Sequence, residues 1–159
     1  MVALLLSQVY VYTEQSLLHC ITRTYMSQFE PALDAKAIRG GDWITIDPSG
    51  AVMRLNSNTL LQASGESSGY IQIQASGVEV ATKEAMAIVT GETDVEPIKY
   101  GDFQAVSSWT LTTGSKKYWI LQDAIYVGST SLKPGTEKGT FIVGSKIAKV
   151  VSSSTNICV

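Results

Sequence analysis

Turn signals recur at short intervals along the chain, and they constrain the fold more than any other feature of the sequence. The segment Asp47–Gly50 has aspartate first, proline second and glycine fourth, which is typical of a type I turn closing a hairpin. Glycine-containing signals at 64–69, 76–77, 112–115 and 133–139 separate segments with alternating polarity. We predict β-strands at Trp43–Ile46, Ala51–Gln62, Tyr70–Ala75, Phe103–Thr113, Lys117–Ser129 and Thr140–Val151. Short strands between regular turns predict an all-β antiparallel sandwich or barrel.

A single short helix is predicted at Thr82–Gly91, which starts at a capping-type threonine, is rich in helix formers and ends at a glycine. At the N-terminus, polar Gln8 and the run Val9–Tyr12 favour a buried strand over a secretory signal, which would need a positively charged start. We therefore predict one domain over residues 1–159, with a flexible tail at 152–159.

Composition narrows the range of partners. Only 16% of the 159 residues are charged, 45% are hydrophobic, and the formal net charge is −2. Nucleic acids and anionic membranes attract basic surfaces, so we expect neither as a partner. No apolar stretch is long enough to span a membrane, and we expect a cytoplasmic protein. The shortage of surface charge predicts a homo-oligomer such as a dimer, in which a second copy covers part of the surface.

Few residues suit metal or nucleophilic chemistry. His19 is the sole histidine, and Cys20 and Cys158 are far apart in the chain. We expect no metal site, and no cofactor, since no glycine-rich loop enters a helix as phosphate-binding loops do. A serine-hydrolase elbow is also missing from the sequence.

The segment Gly40–Trp43 (GGDW) has the most unusual local composition. Two glycines let the backbone take positive φ or approach a neighbouring strand closely. Asp42 can accept hydrogen bonds from backbone amides of a turn, and Trp43 is expected to begin a strand on its buried face. We interpret the pair as structural, although Asp42 and Asp123 would gain base character if they were buried, because desolvation raises a carboxyl pKa.

Three predicted strands each place amide or phenol side chains on one face, because strand residues alternate between two faces. These stripes either face water or line the inside of a barrel, and the alternation alone leaves both orientations open. The stripes consist of Arg54, Asn56 and Asn58; Tyr70, Gln72 and Gln74; and Tyr118, Ile120, Gln122 and Tyr126.

Three motifs together resemble those of a family of small uncharacterised β-barrel proteins; they are Gly40–Trp43, Thr90–Pro97 and Tyr118–Gly128. That family has a calycin-like fold, similar in architecture to allene oxide cyclase barrels. The resemblance covers about residues 33–151, and residues 1–32 match it poorly. It implies a calycin-like antiparallel β-barrel with one short helix. Where relatives carry an Asp-x-Arg pair, this chain has Asn56 and Asn58, and where they carry asparagine it has Gln122. If the face that carries these amides lines the cavity, the resemblance implies a cavity lined by neutral amides, suited to a small apolar ligand.

We therefore expect a cofactor-independent isomerase or cyclase that closes a ring, by a pericyclic or oxa-Michael reaction, on an apolar polyketide- or terpenoid-like intermediate of secondary metabolism. Such a site works by holding a reactive conformer and by aiming fixed dipoles at developing charge. A carrier without turnover and a purely structural, self-associating protein are the alternatives. The candidate catalytic residues are Tyr118, Gln122, Asn56 and Asn58, and the candidate substrate-binding residues are Tyr70, Gln72, Trp109, Trp43 and Tyr126.

Overall fold

Nine antiparallel strands form one sheet in the computed structural model of the protein. The structure describes the backbone of residues 3–11, 17–20 and 25–27, and complete residues at 31–65 and 69–150. The strands are β1 (Ala3–Val11), β2 (Leu17–Cys20), β3 (Tyr25–Ser27), β4 (Asp34–Ile46), β5 (Val52–Ala63), β6 (Tyr70–Val80), β7 (Ala105–Thr113), β8 (Tyr126–Pro134) and β9 (Thr140–Lys149). The predicted tail at 152–159 lies outside the described residues.

The sheet closes into a barrel because its first and last long strands pair with each other. β1 pairs with β9 from Ala3 opposite Ala148 to Val11 opposite Thr140. β2 and β3 both pair with β1 on one side and with β4 on the other. From β4 onward each strand pairs with the next one in the chain. The predicted all-β antiparallel barrel is confirmed, and closure pairs each of its long strands with neighbours on both sides over at least part of its length.

The predicted helix is confirmed as α1 (Lys83–Val89). The hydroxyl of Thr82 accepts a hydrogen bond from the backbone N–H of Ala85 at 3.1 Å, which caps the first turn. Gly91, just after the helix, has φ of 86°, a left-handed conformation that glycine adopts without a Cβ clash. No helix in the described part of the chain is long and apolar enough to cross a membrane.

The predicted strand Lys117–Ser129 is wrong over its first half. Residues Lys116–Tyr118 form a 3-10 turn that leads into a second short helix, α2 (Trp119–Gln122), and β8 begins only at Tyr126. Tyr118 and Leu121 are buried whereas the residues between them are exposed. This spacing of three is helical, and it overrides the apparent alternation.

The glycine pair lies inside a strand, not at its mouth. β4 begins at Asp34, nine residues before the predicted start, and its register shifts between Ala37 and Arg39. A Cβ on Gly40 would lie 2.6 Å from Thr59 Oγ1, so this glycine permits close strand approach. The predicted turn is therefore absent at this point. Trp43 is 52% exposed, which corrects the prediction that it faces the core.

Two apolar clusters fill opposite ends of the barrel interior. Tyr118 and Leu121, from the α2 region, pack into a cluster with Trp109, Tyr126 and inward residues of β4–β6. At the other end, buried residues of α1 pack against β5, β7, β8 and β9; they are Ala85, Ile88 and Val89. Each short helix thus covers one end of the barrel.

Candidate functional site

Buried polar side chains separate the two apolar clusters along the strands. On β5, for example, Ser57 and Thr59 lie between Met53 of one cluster and Leu61 of the other. The same order, with a hydroxyl residue between apolar neighbours, recurs on β7, β8 and β9. We call this set the polar belt, and its members are Asp42, Ser57, Thr59, Glu79, Ser107, Thr130 and Ser145. The belt places two carboxyl groups inside the barrel.

Glu79 is a buried carboxyl group whose pKa is strongly raised. It lies on the inner face of β6, opposite Met53 and Ala105 in the sheet, and is 7% exposed. Burial raises the pKa of Glu79 to about 7, because an ionised carboxylate is poorly solvated there. A side-chain hydrogen bond with Thr130 lowers this pKa, whereas the negative charge of Asp42 raises it further.

Asp42 is 3% exposed and faces the interior from β4. Its position opposite Ser57 in the sheet and its charge interaction with Glu79 make it part of the same site. Of the two aspartates that would gain base character if they were buried, Asp42 is buried. The second candidate, Asp123, is exposed at the end of α2 and does not contribute to the belt.

The belt also contains a hydroxyl group that the surrounding protein leaves unsatisfied. Thr59 Oγ1 is buried and finds no hydrogen-bond partner among the described residues. A buried polar atom without a partner is destabilising by about 1–3 kcal/mol, so such an atom marks a place where water or a ligand group can bind. Small inward residues continue the belt at Gly77, next to Glu79, and at Gly128, next to Thr130.

Sequence reasoning missed Glu79 because it interpreted Ser76–Gly77 as a turn that ends the strand at Ala75. The strand instead runs on to Val80, with Gly77 facing Ser107 so closely that a Cβ on Gly77 would lie 2.7 Å from the Ser107 Cβ. Alternation continued from Ile71, Ile73 and Ala75 points directly at Glu79. Alternation continued past Gly77 would therefore have predicted that Glu79 faces the interior.

Three of the predicted site residues meet on the outside of the barrel. Asn56, Asn58 and Trp43 are exposed, so the amide stripe of β5 faces outward, one of the two orientations that alternation allowed. Together with residues of β6 and β7 they line an open groove of about 410 Å³, here called the outer groove. Gln72 lies beside it and donates from Nε2 to Asn58 Oδ1 at 3.1 Å.

Three other predicted site residues belong to the apolar cluster that α2 covers. Trp109, Tyr118 and Tyr126 are each at most 3% exposed. The Tyr126 hydroxyl donates to the Leu121 carbonyl at 2.8 Å, which ties α2 to β8. Burial raises the pKa of the Tyr126 phenol. Trp109 Nε1 donates to Ser107 Oγ at 2.6 Å, so this indole borders the polar belt.

The remaining two, Gln122 and Tyr70, lie near the same end of the barrel without lining the belt or the groove. Gln122 Oε1 accepts from the Thr113 backbone N–H at 3.2 Å, and Thr113 Oγ1 donates to the Tyr70 carbonyl at 2.7 Å. Both side chains are exposed. Within the described residues, no three His, Cys, Asp or Glu side chains group as metal ligands.

Solved structures with the same fold come from several bacteria. A protein of unknown function from Rhodopseudomonas palustris superimposes with a TM-score of 0.67 at 12% identity, over 92% of this chain and 93% of that one. A protein of unknown function from Clostridium acetobutylicum superimposes with a TM-score of 0.59 at 16% identity, over 92% of this chain and 96% of that one. A β-barrel-like protein from Acinetobacter baumannii superimposes with a TM-score of 0.56 at 17% identity, over 91% of each chain.

No curated protein matches the chain. A family model, by contrast, covers nearly the whole sequence. The model described as "Protein of unknown function (DUF3237)" matches residues 9–150, a range that includes both carboxyl groups of the polar belt. The chain therefore belongs to the DUF3237 family of proteins of unknown function.

Proposed function

We propose that the protein is a cofactor-independent isomerase or cyclase that uses Glu79 as its general acid and base. The observation that carries the proposal is the burial of Glu79 on the inner face of β6, where its sheet partners Met53 and Ala105 are apolar and the charge of Asp42 acts on it. Aspartate and glutamate are seldom buried without a reason, and perturbed carboxyl groups concentrate at functional sites. A carboxyl whose pKa is near 7 is available in both protonation states at neutral pH, as proton transfer in both directions requires.

The substrate we propose is a small, largely apolar molecule with one polar reacting centre. A molecule that enters between the clusters would contact apolar side chains on both sides, and its carbonyl or hydroxyl group would meet the polar belt. The resemblance of the chain's motifs to allene oxide cyclase-like barrels also favours ring closure. The class of polyketide- or terpenoid-like intermediates meets these requirements.

An oxa-Michael closure illustrates the proton balance. The Glu79 carboxylate accepts the proton of a substrate hydroxyl while that oxygen bonds to the β-carbon of a conjugated enone. The electron pair of the carbon–carbon double bond moves towards the carbonyl, and an enolate forms. The protonated Glu79 then returns a proton to the α-carbon. The product is an isomer of the substrate, so no oxidant, reductant or cofactor enters. The Thr130 hydroxyl, which hydrogen-bonds to Glu79, holds the carboxyl in position.

The test uses linear ω-hydroxy enones with apolar chains of several lengths, incubated with protein in D2O. We expect accelerated ring closure with deuterium at the α-carbon, detected by mass spectrometry. Glu79→Gln removes the proton carrier while keeping the side-chain shape, and general acid–base catalysis is worth about 10²–10⁴-fold in rate. We expect a loss in that range. The control Glu84→Gln changes an exposed glutamate of α1 and is expected to leave the rate unchanged.

Equal closure rates with the unaltered protein and with Glu79→Gln would contradict the proposed role. The carrier alternative predicts that the enones bind without turnover and that Glu79→Gln alters only affinity. If the protein accelerates ring closure of none of these enones, the proposal is rejected for this substrate class.

Two further predictions, a homo-oligomer and a cytoplasmic location, stay predictions. Exposed apolar side chains support the first. Ile125 and Val150 are 64% and 49% exposed, and the Val150 backbone N–H donates to the Ile125 carbonyl at 2.8 Å, so these side chains are neighbours on the surface. A second copy of the chain would remove them from water.

A further inference from the structure

The outer groove crosses the sheet on the face opposite to the polar belt. One row of directly paired residues runs through it, from Trp43 on β4 through Asn56, Ser76 and Ser108 to Val127 on β8. The two serines are short and form the floor, whereas Trp43, separated from Ser76 by Asn56, is a large side chain that is 52% exposed. An indole in that position offers a rigid, flat apolar surface next to a polar floor.

The polar side chains of the groove have hydrogen-bonding groups to spare. Those of Asn56, Gln74 and Thr110 make no hydrogen bond to the described residues. Asn58 receives a hydrogen bond from Gln72 on its Oδ1, which fixes the amide and leaves its Nδ2 group for another partner. Each amide offers both a donor and an acceptor, and a hydroxyl group of a ligand can use both at once.

The charge of the groove narrows the ligand class. None of the described residues that line it is charged. Where it widens, to an adjoining region of about 630 Å³, Arg54 is the one charged side chain of the lining within residues 31–65 and 69–150. Its guanidinium is occupied by both carboxylate oxygens of Asp47 at 2.9 Å. A neutral lining matches a neutral ligand, whereas single-stranded nucleic acids need a positively charged groove beside their stacking platforms.

We propose that the outer groove binds a neutral saccharide. The apolar face of a sugar ring stacks on Trp43, and the hydroxyl groups around the ring edge bond to the amides and hydroxyls of the groove. A volume of about 410 Å³ lies within the range of small-ligand sites, about 300–1,000 Å³. This site lies outside the barrel and is separate from the acid–base role of Glu79, so either assignment can fail without the other.

The experiment titrates the full chain with maltohexaose, cellohexaose and chitin hexasaccharide by calorimetry, with a heparin hexasaccharide as the anionic comparison. We expect at least one neutral hexasaccharide to bind and the anionic one not to bind. Trp43→Ala is expected to weaken binding at least about tenfold, as loss of a central aromatic anchor does. Trp119→Ala is the matched control, since Trp119 is 49% exposed on α2, away from the groove, and should bind as the unaltered chain does.

Two additional measurements keep the test decisive. Asn58→Ala removes an amide of the groove without touching Trp43, and it too should weaken binding. Light scattering on each variant reports whether a second copy occupies the groove. The proposal is overturned if no neutral hexasaccharide binds, or if the Trp43→Ala and Trp119→Ala variants bind it equally. It is also overturned if the unaltered chain is an oligomer that binds no saccharide and Trp43→Ala dissociates that oligomer.

Discussion

Glu79 makes the stability of the protein depend on pH in a direction opposite to that of most carboxyl groups. Its pKa is raised from 4.5 to about 7 by burial, so the folded protein holds this proton more tightly than the unfolded chain does. The contribution to stability is therefore fully present below pH 4.5 and is lost as the pH rises through 7. A shift of this size corresponds to about 3 kcal/mol.

We accordingly predict that Glu79→Gln flattens the pH dependence of the free energy of unfolding. Between pH 4.5 and 7.5 the unaltered protein should lose about 3 kcal/mol more than the variant, because glutamine cannot ionise. Urea unfolding at several pH values measures this difference. The control Glu84→Gln should behave like the unaltered protein. Parallel curves for the unaltered protein and Glu79→Gln would show that Glu79 titrates normally.

At the scale of single residues, the sequence identified only part of the candidate site. Asp42 was one of two aspartates that would gain base character if buried, although the glycine pair before it was interpreted as a turn. Glu79 could not be proposed, because Gly77 looked like part of a turn. The charge interaction between them depends on two strands that are not adjacent, β4 and β6, and strand alternation carries no information about such a distance.

Among the elements, β7 and β8 meet at a tightly packed point. Gly128 faces Ser107 across this strand pair, and a Cβ on Gly128 would meet the Trp109 indole Nε1 and lie 2.9 Å from Ser107 Oγ. The hydrogen bond from Trp109 to Ser107 occupies the same space. A glycine is thus required here by close contact and not by its backbone angles.

We predict that Gly128→Ala destabilises the protein by about 1–3 kcal/mol, the usual effect of overpacking a core. Denaturant unfolding measures the loss, and tryptophan fluorescence reports a changed environment of Trp109. Gly114→Ala is the control, since a Cβ at Gly114 has no atom within 4 Å and its backbone is not left-handed. That control should change stability by less than about 1 kcal/mol. Equal stability of the two variants would contradict the packing described here.

Strands and helices were predictable where turn chemistry and capping agreed with periodicity. β5, β7, β9 and α1 all lie within two residues of their predicted bounds. The prediction was wrong where glycine has a packing role inside a strand, as in β4 and β6. It was also wrong at α2, where Tyr118 and Leu121 are spaced as on a helix within an apparently alternating segment. Local sequence patterns do not show whether a glycine belongs to a turn or to a strand, or whether an alternating segment forms a strand or a helix.

For the whole molecule, closed β architecture was predictable from the regular turns, but the direction of the amide stripes was not. Both faces of the barrel wall carry polar residues: the polar belt inside and the outer groove outside. An alternating strand looks the same from either side, so only the pairing of β1 with β9 and the burial that results settle which face is internal. This is why Asn56 and Asn58 could not be placed on the outer face from the sequence, and why the acid–base site that we propose consists of other residues.

The proposed site consists of two interacting carboxyl groups inside the barrel, and a carbon-13 NMR titration of the Glu79 side chain tests this interaction most directly. We predict that Glu79 titrates near pH 7, that Asp42→Asn lowers its pKa by removing a neighbouring negative charge, and that Thr130→Val raises it by removing a hydrogen bond. A Glu79 that titrates near its ordinary value of 4.5, unmoved by either substitution, would contradict the central claim.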